Sequence, residues 1–248
     1  MTSSEKTTGD TIVLTQEQER RYQKQLALPG MSQQAQERLL TGNVLILGIE
    51  SNGAIAAQYL VDAGLGSITL VDRDPKALAV LYRQICETPH GNPDAQVTCK
   101  AVKFSADNAE TLFGEHDVVI DGLHDWQDKL IASDVAMHLG KPLIHAGGSG
   151  FRFQLFNMQP GKSACLRCAF PMAGIDDVPL LPVEGGQLSP VVGMVGAWQA
   201  LEAIKLIARL GASQGNELTK VDWLSGESEI IRGLDPRDDC PDCKRKNR

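Results

Sequence analysis

No run of apolar residues reaches the roughly 20 positions that a bilayer-spanning helix needs, so no membrane span is expected. The first twenty residues, MTSSEKTTGDTIVLTQEQER, lack a basic segment followed by an apolar stretch. That argues against a secretory signal, and a cytoplasmic location is the expectation. Cysteine is scarce, at six in 248 residues, too few for a disulfide scaffold. Positive charge is outweighed: 24 Lys and Arg face 31 Asp and Glu, for a net charge of −7. This speaks against a general nucleic-acid or anionic-membrane binder. Repeats and low-complexity blocks are absent, and the length suits one large domain or two small ones.

What is present is an alternation of apolar strands and helical spacing. Residues 1–14 are polar and small, as a terminal tail is. Thr15 with Gln18 forms a capping box that opens a helix through Ala27. Pro29 and Gly30 stop it, ahead of a second helix over 32–40. VLILG (44–48), SITLVD (67–72), DVVID (117–121) and PLIHA (142–146) are short apolar runs, as strands buried on both faces require. AQVTCKAV (95–102) alternates. Helices are predicted at 52–63, 75–86, 106–113 and 126–139. The pattern predicts a doubly wound, mostly parallel α/β sheet, because right-handed crossovers place helices on both faces. After Gly150 the character changes. FRFQLFNM (151–158) suits a longer, half-exposed strand; 159–188 is rich in loop residues. A helix over 190–210 is apolar on most of its circumference, as a buried helix is. Residues 217–223 and 227–232 form an antiparallel extension, and KRKNR (244–248) is a solvated basic tail.

The turn GIESNG (48–53) follows the first strand and precedes a helix, where a G-x-G-x-x-G phosphate loop would lie. Gly48 and Gly53 hold its outer places, but Glu50 takes the middle one. A carboxylate there adds bulk and sets negative charge where phosphate would rest on a helix N-terminus. The loop therefore reads either as a nucleotide site or as a tight strand–helix turn. Asp72, at the end of the second strand, can accept from ribose hydroxyls or share the capping of the next helix with Asp74.

Four cysteines form two C-x-x-C pairs, Cys165/Cys168 and Cys240/Cys243. Two such pairs complete a tetrahedral Zn²⁺ site with no open position, hence a structural one. Cys86 and Cys99 read as core or surface residues. His145, in IHAGGSG, stands at the carboxyl end of the fifth strand, where doubly wound sheets bind ligands, but it reads first as a partly buried histidine in a flexible turn. Trp198 reads as core or interface.

Several segments coincide in one pattern: RYQKQL (21–26), VLILG, LVDRD (70–74), LYRQ (81–84), CLRC, SPVVGMVGAWQALEAIKLI (189–207) and CPDC. Together they resemble the bacterial E1-like enzymes of the MoeB/ThiF/HesA family. The resemblance implies a single E1-like, Rossmann-like domain over 15–243. It also implies a homodimer in which each ATP–Mg²⁺ site adenylates the Gly-Gly carboxylate of a small ubiquitin-like sulfur carrier and releases pyrophosphate.

Carried over residue by residue, Asp72 matches the ribose-binding Asp and Arg83 a phosphate-contacting Arg. Lys24 stands where an Arg reaches the partner subunit's ATP. Glu50 and Ser51 replace two glycines, and Val80 replaces an Asn. The segment carrying a phosphate-binding Lys after Gln84 is missing. His124 takes the place of the Mg²⁺-associated Asp, with Asp125 one residue late; Pro182 replaces a crossover-loop Cys. These departures converge on phosphate and metal, so the expectation is a diverged E1-like protein. Its ATP site is degraded, and it retains a role in binding a carrier or a peptide C-terminus. The competing readings are an active adenylyltransferase using Lys24, Arg83, His124 and Asp125, a non-catalytic binding module, and a nicotinamide-dependent oxidoreductase. Glu50 and the zinc cysteines disfavour the last.

Overall fold

The structure, a computed structural model, describes residues 13–87, 91–171, 186–211 and 215–244. Pro179, Pro182, most of the 171–188 loop, the start of the N-terminal tail and most of the basic tail lie outside the described residues.

The chain opens with α1 (Gln16–Arg21), α2 (Gln23–Leu26) and α3 (Gln33–Thr41). It then alternates: β1 (Asn43–Leu47), α4 (Asn52–Asp62), β2 (Ser67–Asp72), α5 (Pro75–Cys86), β3 (Gln96–Ala101), α6 (Ala106–Phe113), β4 (Val118–Asp121), α7 (Trp126–Leu139) and β5 (Leu143–Ser149). The last part comprises β6 (Arg152–Met158), α8 (Leu166–Ala169), α9 (Ser189–Ala208), β7 (Glu217–Asp222), β8 (Glu227–Arg232) and α10 (Pro241–Lys244). All strands share one sheet in the order β3-β2-β1-β4-β5-β6-β7-β8. β1 to β5 pair in parallel, and β6, β7 and β8 add antiparallel. This is the doubly wound α/β sheet with a C-terminal antiparallel extension that the alternation predicts.

Two cores lie on the two faces. Val44, Ile46, Ile68, Leu70 and Ile120 meet α4, α5 and α9 on one. Leu45, Leu47, Val119 and Leu143 meet α6, α7 and α8 on the other. Alternate residues of the same strand thus enter opposite cores, which is why these strands carry no polar face.

Three local differences from the sequence reading have identifiable causes. The Thr15 capping box forms, but the helix it opens breaks at Tyr22. The Tyr22 side chain is buried and its hydroxyl bonds Asn92 and Asp94, a tertiary contact that overrides local propensity. β5 runs on to Ser149 because β6 pairs with its whole length. Against the expectation of no sufficiently long apolar segment, α9 is long and apolar enough to cross a membrane by length and composition. Here it is a core helix, packed on α3, α4 and the sheet, with buried Gln199 and Glu202 along it.

Candidate functional site

Glycine brings three backbones together at the carboxyl ends of β1 and β4. Gly48 has φ +80°, and a Cβ on it would stand 2.6 Å from the Gly122 carbonyl oxygen. A Cβ on Gly53 would stand 2.0 Å from the Gly48 oxygen. Both glycines are therefore demanded by the close strand–helix approach itself. Asp72 braces the same turn: its carboxylate accepts from the Ile49 and Asp74 amides, each at 3.0 Å. The cap of α5 is Asp74, accepting from the Lys76 amide at 2.8 Å.

Gly48, Glu50, Asp72, His124 and Asp125 line one cavity of about 310 Å³ at the carboxyl end of the parallel strands, the ligand-binding edge of such sheets. The sequence-predicted residues are thus brought together there, with three exceptions: Gly53, buried in the first turn of α4 against the Gly48 backbone, Arg83 and Lys24. Arg83 is exposed on α5, where its Nε donates to the Ala79 carbonyl at 3.2 Å. It lines a separate groove with Tyr82, Glu87 and Cys99. Lys24 is exposed on α2 and does not line the cavity; the resemblance assigns it to a partner subunit's site.

Arg73 and Lys103 were not anticipated and stand in the cavity wall. The one available signal was their position, just past the ends of β2 and β3. Glu50 lies between two of the wall's basic groups: Oε1 is 3.6 Å from Arg73 Nη2, and Oε2 is 3.5 Å from His124 Nε2. Asp125 caps α7, accepting from the Gln127 amide at 2.7 Å. Burial and then the neighbouring Asp125 push the Asp128 carboxyl above its ordinary range.

A second cavity, of about 180 Å³, shares Leu123 and His124 with the first. Ser51, Trp126, Lys129, Gly147, Gly148 and Gln187 are among the other residues of its wall, and a bridge between Gly150 and Gln187 lies beside it.

Under the cavities is a buried charged cluster that the sequence did not reveal. Lys129 Nζ donates to both Asp121 oxygens at 3.0 Å and to the Ala146 carbonyl at 3.1 Å. The same carboxylate takes the Leu123 amide at 3.0 Å and contacts His145 Nδ1 at 2.7 Å. Burial by itself would raise the Asp121 carboxyl, but the Lys129 charge and the His145 bond outweigh it and hold it below the carboxylate range. Burial drives His145 below the usual histidine value. Its imidazole is neutral at pH 7, and donation from Nδ1 leaves Nε2 bare and without a partner. His145 is fully buried between Trp126 and Phe170, rather than partly buried in a flexible turn.

The two C-x-x-C pairs meet. Their four sulfurs lie within 4.8 Å of one another, with Cys165–Cys240 at 3.6 Å and Cys168–Cys243 at 3.8 Å. A tetrahedron of thiolates at about 2.3 Å from zinc has edges of about 3.8 Å, so the donor set fits a metal ion. With no metal bound, burial pushes the Cys165 thiol up and the Cys243 thiol up to about 12. A metal must therefore displace protons to bind.

The model of the ThiF family matches residues 22–91 and 88–242. The "Adenylyltransferase and sulfurtransferase MOCS3" of Bos taurus is 32% identical, over 93% of this chain and 54% of its own length. That of Drosophila grimshawi is 34% identical, over 90% and 54%. The chain thus spans about half the length of these curated relatives. Among solved structures, E. coli MccB with MccA-N7isoASN superposes with a TM-score of 0.78 at 18% identity, covering 91% of this chain and 74% of that one. PaaA gives a TM-score of 0.69 at 19% identity, covering 92% and 77%. These two likenesses concern the fold.

Proposed function

The chain belongs to the ThiF family, whose relatives include named adenylyltransferases, and from that membership we propose a diverged E1-like protein that adenylates weakly or not at all. It retains the binding of a small ubiquitin-like sulfur carrier or a peptide C-terminus. The observation that carries this reading is the position of Arg83. The family's pattern uses that residue on phosphate, and here it lies outside the cavity, tied to its own helix. Adenylation is chiefly positioning and electrostatics, and one lost contact typically costs on the order of 10²–10³ in rate.

The second cavity supports the binding role. It adjoins the first, sharing Leu123 and His124 with it, and Gly147 and Gly148 of β5 stand in its wall. Were ATP–Mg²⁺ bound, Asp72 would hold the ribose while Arg73 and Lys103 faced the phosphates. A homodimer is part of the proposal, supported by exposed Tyr59 on α4 and exposed Met194 and Leu201 on α9. So are a structural zinc at the four cysteines and a cytoplasmic location. Light scattering at micromolar concentration tests the dimer, and a monomer overturns it.

The test of function is pyrophosphate exchange with ATP–Mg²⁺ and a carrier ending in Gly-Gly. Exchange at background, with the carrier retained in a binding assay, is the expected result. Micromolar ATP binding with pyrophosphate release overturns it. That outcome would establish the second reading, an active adenylyltransferase, which the names of the relatives favour.

A further inference from the structure

We infer that Glu50 is a resident anion occupying the phosphate position of the first cavity, so that the cavity takes a nucleoside without its phosphate chain. This rests on the reading of the cavity as a nucleotide-derived cleft and names what that cleft accepts.

In a strand–turn–helix of this kind the helix N-terminus offers amides and a positive dipole end to a ligand's phosphate. Here Glu50 is in the turn immediately before α4 and brings its own carboxylate. That carboxylate is not idle: it lies between Arg73 and His124, at 3.6 and 3.5 Å. Both groups line the same cavity, so Arg73, one of the two cations that would face a phosphate chain, is already engaged by the protein.

The rest of the wall has the same sign. Glu50, Asp72, Asp125 and Asp128 line it, against Arg73 and Lys103 as the permanently charged cations. A triphosphate entering this field meets net repulsion, and one focused by the low-dielectric walls. A nucleoside meets none. Its ribose hydroxyls donate, and Asp72 accepts; each carboxylate oxygen has a lone pair left after its one backbone amide. Val71, Val102 and Phe104 supply apolar wall for a base. The volume of about 310 Å³ is at the small end of ligand sites, which run to roughly 1,000 Å³.

The arrangement makes Glu50 a specificity determinant that one substitution can remove. Glu50→Gln keeps its size and deletes the charge; Glu50→Gly restores the small residue a phosphate loop uses. The Glu50 side chain is 44% exposed, so both variants are expected to fold, and coincident thermal melts check this.

The experiment is isothermal titration of the full chain with adenosine and, separately, with ATP–Mg²⁺. The readout is the ratio of the two association constants. In the wild type ATP binds no more tightly than adenosine. In Glu50→Gln or Glu50→Gly the ratio shifts at least tenfold toward ATP, and adenosine displaces ATP competitively. A smaller shift in both variants overturns the inference, as does a wild type that already prefers ATP tenfold, or a failure to compete. If neither ligand binds any of the three proteins, the nucleotide-cleft reading falls with it. If adenosine binds but the ratio does not move, the role of Glu50 alone falls.

Discussion

His145 donates from Nδ1 to Asp121 at 2.7 Å in a site that is closed to solvent on both sides. The pair lies directly beneath the edge where the two cavities meet, and it sets how the fold responds to acid. The His145 pKa is depressed first by burial, with the Asp121 bond acting against it. His116, buried against Thr69 Oγ1 at 2.9 Å, is depressed by burial as well. The unfolded chain binds protons at these histidines as pH falls through about 6.5, while the folded chain resists. Stability should therefore fall on going from about pH 7 to about pH 5. The urea midpoint measured across that range checks it, and His116→Gln should flatten the slope. Asp121 works in a lower window. Its depressed pKa gives stability that is present above about 3.9 and lost below it as the folded carboxylate protonates.

Lys129→Met should be among the most damaging substitutions in the chain. It leaves the Asp121 carboxylate buried without its cation, at a cost of about 3–5 kcal/mol. The double variant Asp121→Asn/Lys129→Met should lose less than the sum of the two singles, because the charges stand or fall together. Urea denaturation of the three variants measures the coupling; strict additivity would show that the two side chains act independently.

Metal content gives a direct check of the cysteine corner. Protein purified under reducing conditions should carry about one zinc per chain. Cys165→Ser should abolish it, and chelation should lower the melting midpoint by more than about 5 °C. Elemental analysis and a thermal scan suffice, and metal-free protein with an unchanged midpoint would refute the assignment.

Two glycine-to-alanine changes should move stability in opposite directions. Gly53→Ala drives a methyl to 2.0 Å from the Gly48 oxygen and should cost about 3 kcal/mol or more. Gly193 lies inside α9, and a Cβ there meets nothing within 4 Å. Gly193→Ala should add about 0.5–1 kcal/mol by helix propensity. Denaturant midpoints decide both.

The sheet was legible in the sequence because β1, β2, β4 and β5 are apolar on both faces, a pattern that local residues carry alone. The cysteine corner was legible because spacing within each pair announces a shared ligand, however far apart the pairs are. The break at Tyr22 was not, since its cause is Asn92 and Asp94, 70 and 72 residues away. Nor was the Asp121, Lys129 and His145 cluster, whose members come from β4, α7 and β5 and meet only when the sheet is wound. The same holds for Arg83: its place in a motif is a local property, but the direction in which α5 presents it is a property of the whole fold.

The cysteine corner also has a consequence in time. Cys240 and Cys243 are each 75 residues downstream of their partners. A ribosome therefore completes α9, β7 and β8 before the second pair of thiols exists. The nascent chain can wind β1 to β5 early. Its α8 corner, however, stays unsealed until Cys240 and Cys243 have emerged. Translation arrest between 233 and 239 would leave all eight strands and α9 made, with one half of a clasp.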